Sequence, residues 1–311
     1  MADTIKKIPF LFLALSLVIL CTGHLHALPL PVKAEVSENN VAVFVDGSLF
    51  TVYKFGDKKQ KYPYFFPVNG PSSGLSITTE SSEPYPHHHS LFFGCDKVNG
   101  GNYWQDSLAA GRIRSTALRV IEAEGTQVVF ENECEWAKGR QDPVLRDTRR
   151  ITVSAPDPTL RIIDFEITLM PLVEVTVEKT NHSLFAARMK PEISVEAGGT
   201  LINTYGDQKE TGTFGKAAPW CDFYGINGKV TEGLAILQHP DNPLYPAPWF
   251  TRDYGFFSPT PMYWPPEDKA LVFAEGESIS LKYRVVVHEG NTGDANIAAL
   301  FEAYSAEKTK H

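Results

Sequence analysis

The chain has 311 residues, a formal net charge of −8 and 12 % aromatic residues, with 23 Gly and 22 Pro. An acidic chain of this kind argues against nucleic acid or an anionic membrane as its partner, since both repel negative charge. Three of its four Cys (Cys95, Cys134 and Cys221) follow the N-terminal leader; an odd, sparse set without CxxC spacing is neither a disulfide framework nor a zinc site.

Met1–Ala27 reads as a secretory signal. Lys6 and Lys7 form a basic start, and Ile8–Leu20 is an apolar run shorter than the ~20 residues a membrane span needs. The expectation is export to the periplasm or beyond, with no membrane association other than the signal. Residues 28–311 are then expected to form a single β-sandwich domain.

Val32–Glu35 and Val41–Val45 alternate apolar and polar residues, and Asp46-Gly47 is a hairpin signal before a return strand at Leu49–Phe55. Pro63–Val68 is apolar but bracketed by Pro, which suits an edge strand. Leu75–Thr79 and Ser90–Phe93 are short strands. From Thr116 the alternation is almost unbroken, with strands expected at Thr116–Ala123, Thr126–Trp136, Thr148–Ser154, Leu160–Pro171 and Val173–Lys179. Leu184–Met189, Glu192–Ala197, Thr200–Thr204, Gly233–Gln238, Ala270–Phe273 and Ser278–His288 follow. Only Asp294–Tyr304 has helical spacing, through Ile297, Leu300, Phe301 and Tyr304. Many short strands and one terminal helix predict an all-β fold, a large antiparallel β-sandwich with one short C-terminal helix.

Two loop-rich stretches, Asp207–Asn227 and Gln238–Trp264, carry Trp220, Asp222, Tyr224, His239, Asp241, Trp249, Arg252, Asp253, Tyr254 and Trp264. Aromatic and charged residues on loops of a rigid scaffold are where binding usually sits. Trp faces stack on sugars, and Trp104 and Trp220 are candidates for that role. Arg252 either clamps a carboxylate or pairs with Asp253. Glu131, Glu133 and Glu135 alternate on one strand face, and Asp147 lies near Arg146, Arg149 and Arg150, a pattern of a solvated face.

The densest chemistry is His87-His88-His89 in Tyr85–Gly94. Imidazole moves protons near neutral pH and also binds metals. In an extended chain His87 and His89 share a face and His88 points away, so at most two reach one ligand. A metal there would need a further His or carboxylate, from His182, His239 or Asp241. Thr180-Asn181-His182 is a second His motif at a strand junction. No G-x-S-x-G, Gly-rich nucleotide loop or H-E-x-x-H is present.

Tyr62-Pro63-Tyr64, Tyr85–Gly94 with Val98–Trp104, Thr213–Gly225, Gly233–Pro243 and Trp249–Phe257 together resemble the bacterial family DUF6807, also labelled "PmoA family", over about Val41–Tyr304. In that family's pattern an Arg follows the His pair where Ser90 stands here. The label names a membrane-bound methane oxygenase subunit, but no stretch after Ala27 can span a bilayer. The resemblance implies a carbohydrate role instead. The motif order also resembles the galactose mutarotase-like (aldose 1-epimerase) superfamily, which implies a supersandwich fold and makes His182 the general acid and His88 or His87 a substrate ligand. The superfamily's basic Glu falls at Ile236 here, which leaves Asp222, Asp241 or His239 to supply a base.

The expected function is His-based acid/base chemistry on a sugar: glycosidic cleavage, elimination or epimerisation. His88, His182, Asp222 and His239 are the expected catalytic set. His87, His89, Trp104, Arg188, Trp220, Tyr224, Asp241, Arg252 and Asp253 are the expected substrate-binding set. No cofactor is expected, a metal at the His cluster being the exception considered. The rivals are a non-catalytic glycan-binding module and a metal-dependent oxygenase or hydrolase.

Overall fold

The computed structural model describes residues 28–105, 107–180, 183–261 and 270–307. Two antiparallel sheets lie face to face. The front sheet has nine strands, in the order Trp249–Arg252, Phe256–Pro259, Ser183–Arg188, Leu91–Cys95, Tyr64–Val68, Ser48–Lys54, Asn40–Val45, Val32–Val36 and Glu124–Gly125. The back sheet has eight: Thr200–Asn203, Trp220–Asn227, Val230–Gln238, Ile279–Glu289, Leu160–Pro171, Leu145–Ser154, Gln127–Ala137 and Arg112–Glu122. A helix at Ile297–Ser305 closes over the outer face of the back sheet, where Ile297 and Tyr304 pack with Trp220, Leu237 and Val286.

Strand alternation assigns each side chain to a face. Phe93 points inward and meets Trp136 and Phe165 of the back sheet, at ring separations of 6.2 and 6.0 Å. Phe185 stacks on Phe165 at 4.7 Å and on Tyr283 at 5.1 Å. Burying an aromatic of this size contributes ~2–3 kcal/mol, so these contacts hold the two layers together. Phe92, one residue from Phe93, points to the outer face of the front sheet and stacks on Tyr62 at 4.7 Å.

The core also holds charge. Asp147 and Arg149 alternate inward with Leu145 and Ile151, and both are fully buried. Asp147 accepts two hydrogen bonds from Arg149, at 2.8 and 3.0 Å, and one from Trp136 Nε1 at 2.7 Å. The outward residues of the same strands form the solvated face expected: Glu131 pairs with Arg119 and Arg150, and Glu135 with Arg114 and Arg146. The sequence pattern had placed all these charges in one class. Asp147 and Arg149 are on the opposite face.

The remaining differences have local causes. Glu192–Ala197 forms two 3-10 turns, not a strand, because Pro191 starts the first and Gly198 ends the second with a φ of 96°. Leu75–Thr79 makes only isolated bridges. Strands at Trp220–Asn227, Trp249–Arg252 and Phe256–Pro259, and a short helix at Lys209–Thr213, occupy stretches read as loops. In Trp220–Asn227 the first four residues are all buried, because the C-terminal helix packs on Trp220 and Thr292 bonds Asp222 on the outer face. That removes the polar alternation that marks a half-exposed strand. The expected leader, residues 1–27, lies outside the described residues, as does Trp264. Among the described residues, no helix is long and apolar enough to cross a membrane. Cys95, Cys134 and Cys221 are buried free thiols.

Candidate active site

The His loop enters the front sheet through Ser90, which holds a left-handed φ of 51°, at a cost of about 1 kcal/mol. Hydrogen bonds on both sides fix it: Ser90 Oγ to Thr78 Oγ1 at 2.7 Å, Ser90 N to the Thr79 carbonyl at 2.9 Å, and Arg188 N to the Ser90 carbonyl at 2.6 Å. Tyr62 OH donates to the His87 carbonyl at 2.6 Å. The loop is therefore held on three sides. Its backbone is a turn, with His88 N bonded to the Tyr85 carbonyl at 3.1 Å, and not the extended chain expected, yet the imidazoles still divide. His87 and His89 line a cleft of about 690 Å³ on the outer face of the front sheet. His88 turns away and is buried among Phe256, Tyr85 and Trp104, at ring separations of 4.4, 5.2 and 5.5 Å.

Lys54, Tyr64 and Glu80 line the cleft beside His89. Glu80 Oε1 accepts from both Lys54 Nζ, at 2.5 Å, and Tyr64 OH, at 2.7 Å. Glu80 Oε2 makes no hydrogen bond among the described residues. Burial works to raise the Glu80 carboxyl, but the bonds from Lys54 and Tyr64 and the charge of Lys54 outweigh it and hold the group below the usual carboxylate range. Tyr64 is pushed well up, by burial first and then by Glu80, and keeps its proton.

His89 stacks on Tyr64 at 5.0 Å, and its Nδ1 lies 2.6 Å from the Glu80 carbonyl. A carbonyl only accepts, so Nδ1 carries the hydrogen and Nε2 carries the lone pair. Burial, opposed in part by Glu80, draws the His89 pKa below its ordinary value. Near neutral pH the cleft thus presents two open acceptors, Glu80 Oε2 and His89 Nε2, backed by fixed donors.

The other expected residues are placed elsewhere or used structurally. Trp104 lines the cleft but is buried and stacks on Phe256 at 5.6 Å, so it is floor and not an open platform. Arg188 is also buried. Its guanidinium bonds to Ser82 Oγ at 3.0 Å and to the Tyr254 carbonyl, and lies 4.3 Å over the Tyr254 ring, tying the His loop to the neighbouring hairpin. Arg252 pairs with Glu210 at 2.9 Å, not with Asp253, and lies 4.1 Å over Phe250. Asp253 Oδ1 accepts from Glu210 N at 2.7 Å.

Asp222, Trp220 and Tyr224 alternate onto the outer face of the back sheet, with the core between them and the cleft. Asp222 is fully buried, bonded to His288 Nε2 at 3.0 Å and Thr292 Oγ1 at 2.6 Å. Burial lowers the His288 pKa, but the Asp222 charge outweighs it and the net shift is upward. His239 is buried against Tyr304 at 5.0 Å, with Asp241 3.5 Å from its ring. Asp241 faces a second hollow with Lys282 and Glu166. His88 lies at the front sheet, whereas Asp222 and His239 both lie behind the back sheet, so the fold does not bring the three into the one cleft expected. Ile236 is a fully buried core residue. His182 lies outside the described residues. Among the described residues, no three His, Cys, Asp or Glu side chains converge as metal ligands.

The model of a family of unknown function, DUF6807, matches residues 40–302. The chain belongs to the DUF6807 family. No curated protein matches it. This DUF6807 chain is similar to the structure of a candidate aldose 1-epimerase from Klebsiella pneumoniae, at 8 % identity and a TM-score of 0.41, over 89 % of this chain and 84 % of that one. It is similar to galactose 1-epimerase from Lactobacillus acidophilus at 9 % identity and a TM-score of 0.39, over 85 % and 100 %. A polysaccharide lyase matches at 13 % identity and a TM-score of 0.30, over 89 % and 35 %.

Sequence reasoning missed Lys54, Tyr64 and Glu80. Tyr64 was visible only inside the DUF6807 motif Tyr62-Pro63-Tyr64, and Glu80 lies in no motif. Lys54 and Tyr64 share one signal, parity. Lys54 and Tyr64 are direct partners across adjacent strands, so their side chains share a face.

Proposed function

We propose that the chain is a carbohydrate-active enzyme that moves a proton at a sugar held in the front-sheet cleft. The observation that carries this reading is the open acceptor pair, Glu80 Oε2 and His89 Nε2, in one cleft. Sugars present many hydroxyl donors, and an ionised carboxylate beside a neutral imidazole suits them. His89 Nε2 is the general base. On taking a proton it becomes an imidazolium that keeps its Nδ1–H bond to the Glu80 carbonyl and is stabilised by the Glu80 charge. Tyr64 has its proton committed to Glu80, so His87, the other imidazole lining the cleft, supplies the proton to the leaving or ring oxygen. General acid–base work of this kind fits cleavage, elimination and epimerisation alike.

The test is incubation with a panel of plant and algal oligosaccharides, followed by mass spectrometry and by NMR of the anomeric protons. New masses or an accelerated anomeric exchange are expected for at least one substrate. Saturable binding with neither would leave a glycan-binding module and overturn the enzymatic reading.

A further inference from the structure

Lys54 ends the strand Ser48–Lys54 and stands in a row across neighbouring strands, between its direct partners Asn40 and Tyr64. Tyr53, the residue before it, turns into the core, where its OH donates to Asn132 Oδ1 at 2.9 Å. Lys54 therefore lies on the outer face, where it lines the cleft. Its ammonium sits 5.6 Å from the centre of the Tyr64 ring and 5.2 Å from that of Phe66. Both partners in the row are uncharged near neutral pH, and the ion pair that Lys54 makes is with Glu80. Glu80 is held at both ends. Its backbone carbonyl takes His89 Nδ1, and its Oε1 takes Lys54 and Tyr64. Two donors from adjacent strands on one oxygen fix the carboxylate and leave Oε2 for a ligand.

We propose that Lys54 is a positioning residue that acts through Glu80: it fixes Glu80 as the charged acceptor for a sugar hydroxyl and leaves His89 as the base that takes the proton. The inference rests on reading the cleft as a site of proton transfer. Two open acceptors in one cleft compete for a proton unless their surroundings set them apart. Burial favours a proton on Glu80, and the Lys54 bond is the largest influence against it. On His89, burial lowers the pKa, Glu80 raises it and the Lys54 charge lowers it. The other groups that face His89 are the Tyr62 and Tyr64 rings, at 5.8 and 5.0 Å. His87, Asp57, Lys59 and Lys61 line the same cleft. A neutral donor in place of Lys54 keeps the geometry of Glu80 but not its charge state.

The experiment is NMR titration of the His89 imidazole and the Glu80 carboxyl in the full chain, beside pH profiles of kcat/KM on the substrate that the oligosaccharide panel identifies. The proteins are the wild type, Lys54→Met, Lys54→Arg and Glu80→Gln. Met keeps the length of the side chain and its apolar stem against Tyr64 and Phe66, and Arg keeps the charge. In Lys54→Met both groups are expected to titrate at higher pH. The acid limb of kcat/KM moves up with His89, because a base works unprotonated, and kcat falls about tenfold, the scale of one hydrogen bond to a charged group. Lys54→Arg is expected to restore both titrations. Glu80→Gln is expected to move His89 the other way, to lower pH, since it removes the charge that favours the imidazolium. Titrations unmoved in Lys54→Met, or moved equally in Lys54→Arg, overturn the role of Lys54 and leave His89 as the base. Titrations that move while the acid limb does not follow overturn the proton-transfer reading itself, and the role of Lys54 falls with it.

Discussion

Replacing His89 with Ala is expected to lower kcat/KM on the substrate oligosaccharide by about 10²–10⁴-fold, the usual contribution of a positioned general base. The argument rests on the tautomer. The Glu80 carbonyl holds the Nδ1 hydrogen and leaves Nε2 basic, and burial keeps the ring neutral at neutral pH. The sign of the pH dependence follows. A base works unprotonated, so kcat/KM falls as pH drops through the His89 pKa, which lies below the ordinary imidazole value of about 6.5. The variant should lose that acid limb as well as the rate. A pH profile of His89→Ala with the limb intact would assign the titration to another group.

Asp147→Ala is expected to cost about 3–5 kcal/mol of stability, because it strands the Arg149 charge in a fully buried core and unpairs Trp136 Nε1. Arg149 Nη1 already makes no hydrogen bond among the described residues, so the pair is imperfectly satisfied even when intact. Replacing both residues with apolar ones, as in Asp147→Leu with Arg149→Met, should therefore recover most of the loss. Urea unfolding of the single and double variants, with m-values compared, measures both. A single variant within 1 kcal/mol of the wild type would mean that the interior is wetter than its burial indicates.

The architecture was legible because alternation is a local signal. Phe165 and Glu166, adjacent in Leu160–Pro171, declare their faces by parity alone, and parity separates core from solvent once the sheets are known. Two kinds of strand escaped. Trp220–Phe223, the first half of Trp220–Asn227, is covered on both faces, so its pattern loses the contrast that periodicity needs. The hairpin strands Trp249–Arg252 and Phe256–Pro259 lie in a segment dense in Pro, where turn signals outweigh strand propensity.

The site was legible only in part. The His loop stood out because three imidazoles in a row are rare; His87 and His89 do line the cleft without His88, but a turn at Tyr85–His88 separates them and not a strand's period of two. Parity cannot say which side chain is left open, and His88, chosen on a resemblance, is buried in the aromatic cluster of Tyr85, Trp104 and Phe256 beside the cleft. Asp222 and His239 were drawn in by motif order along the chain, yet the fold places them behind the back sheet. Glu80 carries no sequence signal. Its role comes from meeting Lys54, Tyr64 and His89, which lie 26, 16 and 9 positions away, and only the register of the front sheet brings these together.

The central claim is that the front-sheet cleft, with Glu80 and His89, is where the sugar sits. A crystal structure with a bound oligosaccharide tests this most directly. The account expects sugar hydroxyls within about 2.6–3.2 Å of Glu80 Oε2 and His89 Nε2. A sugar seated instead beside His239 and Asp241, with the front-sheet cleft empty, would contradict it.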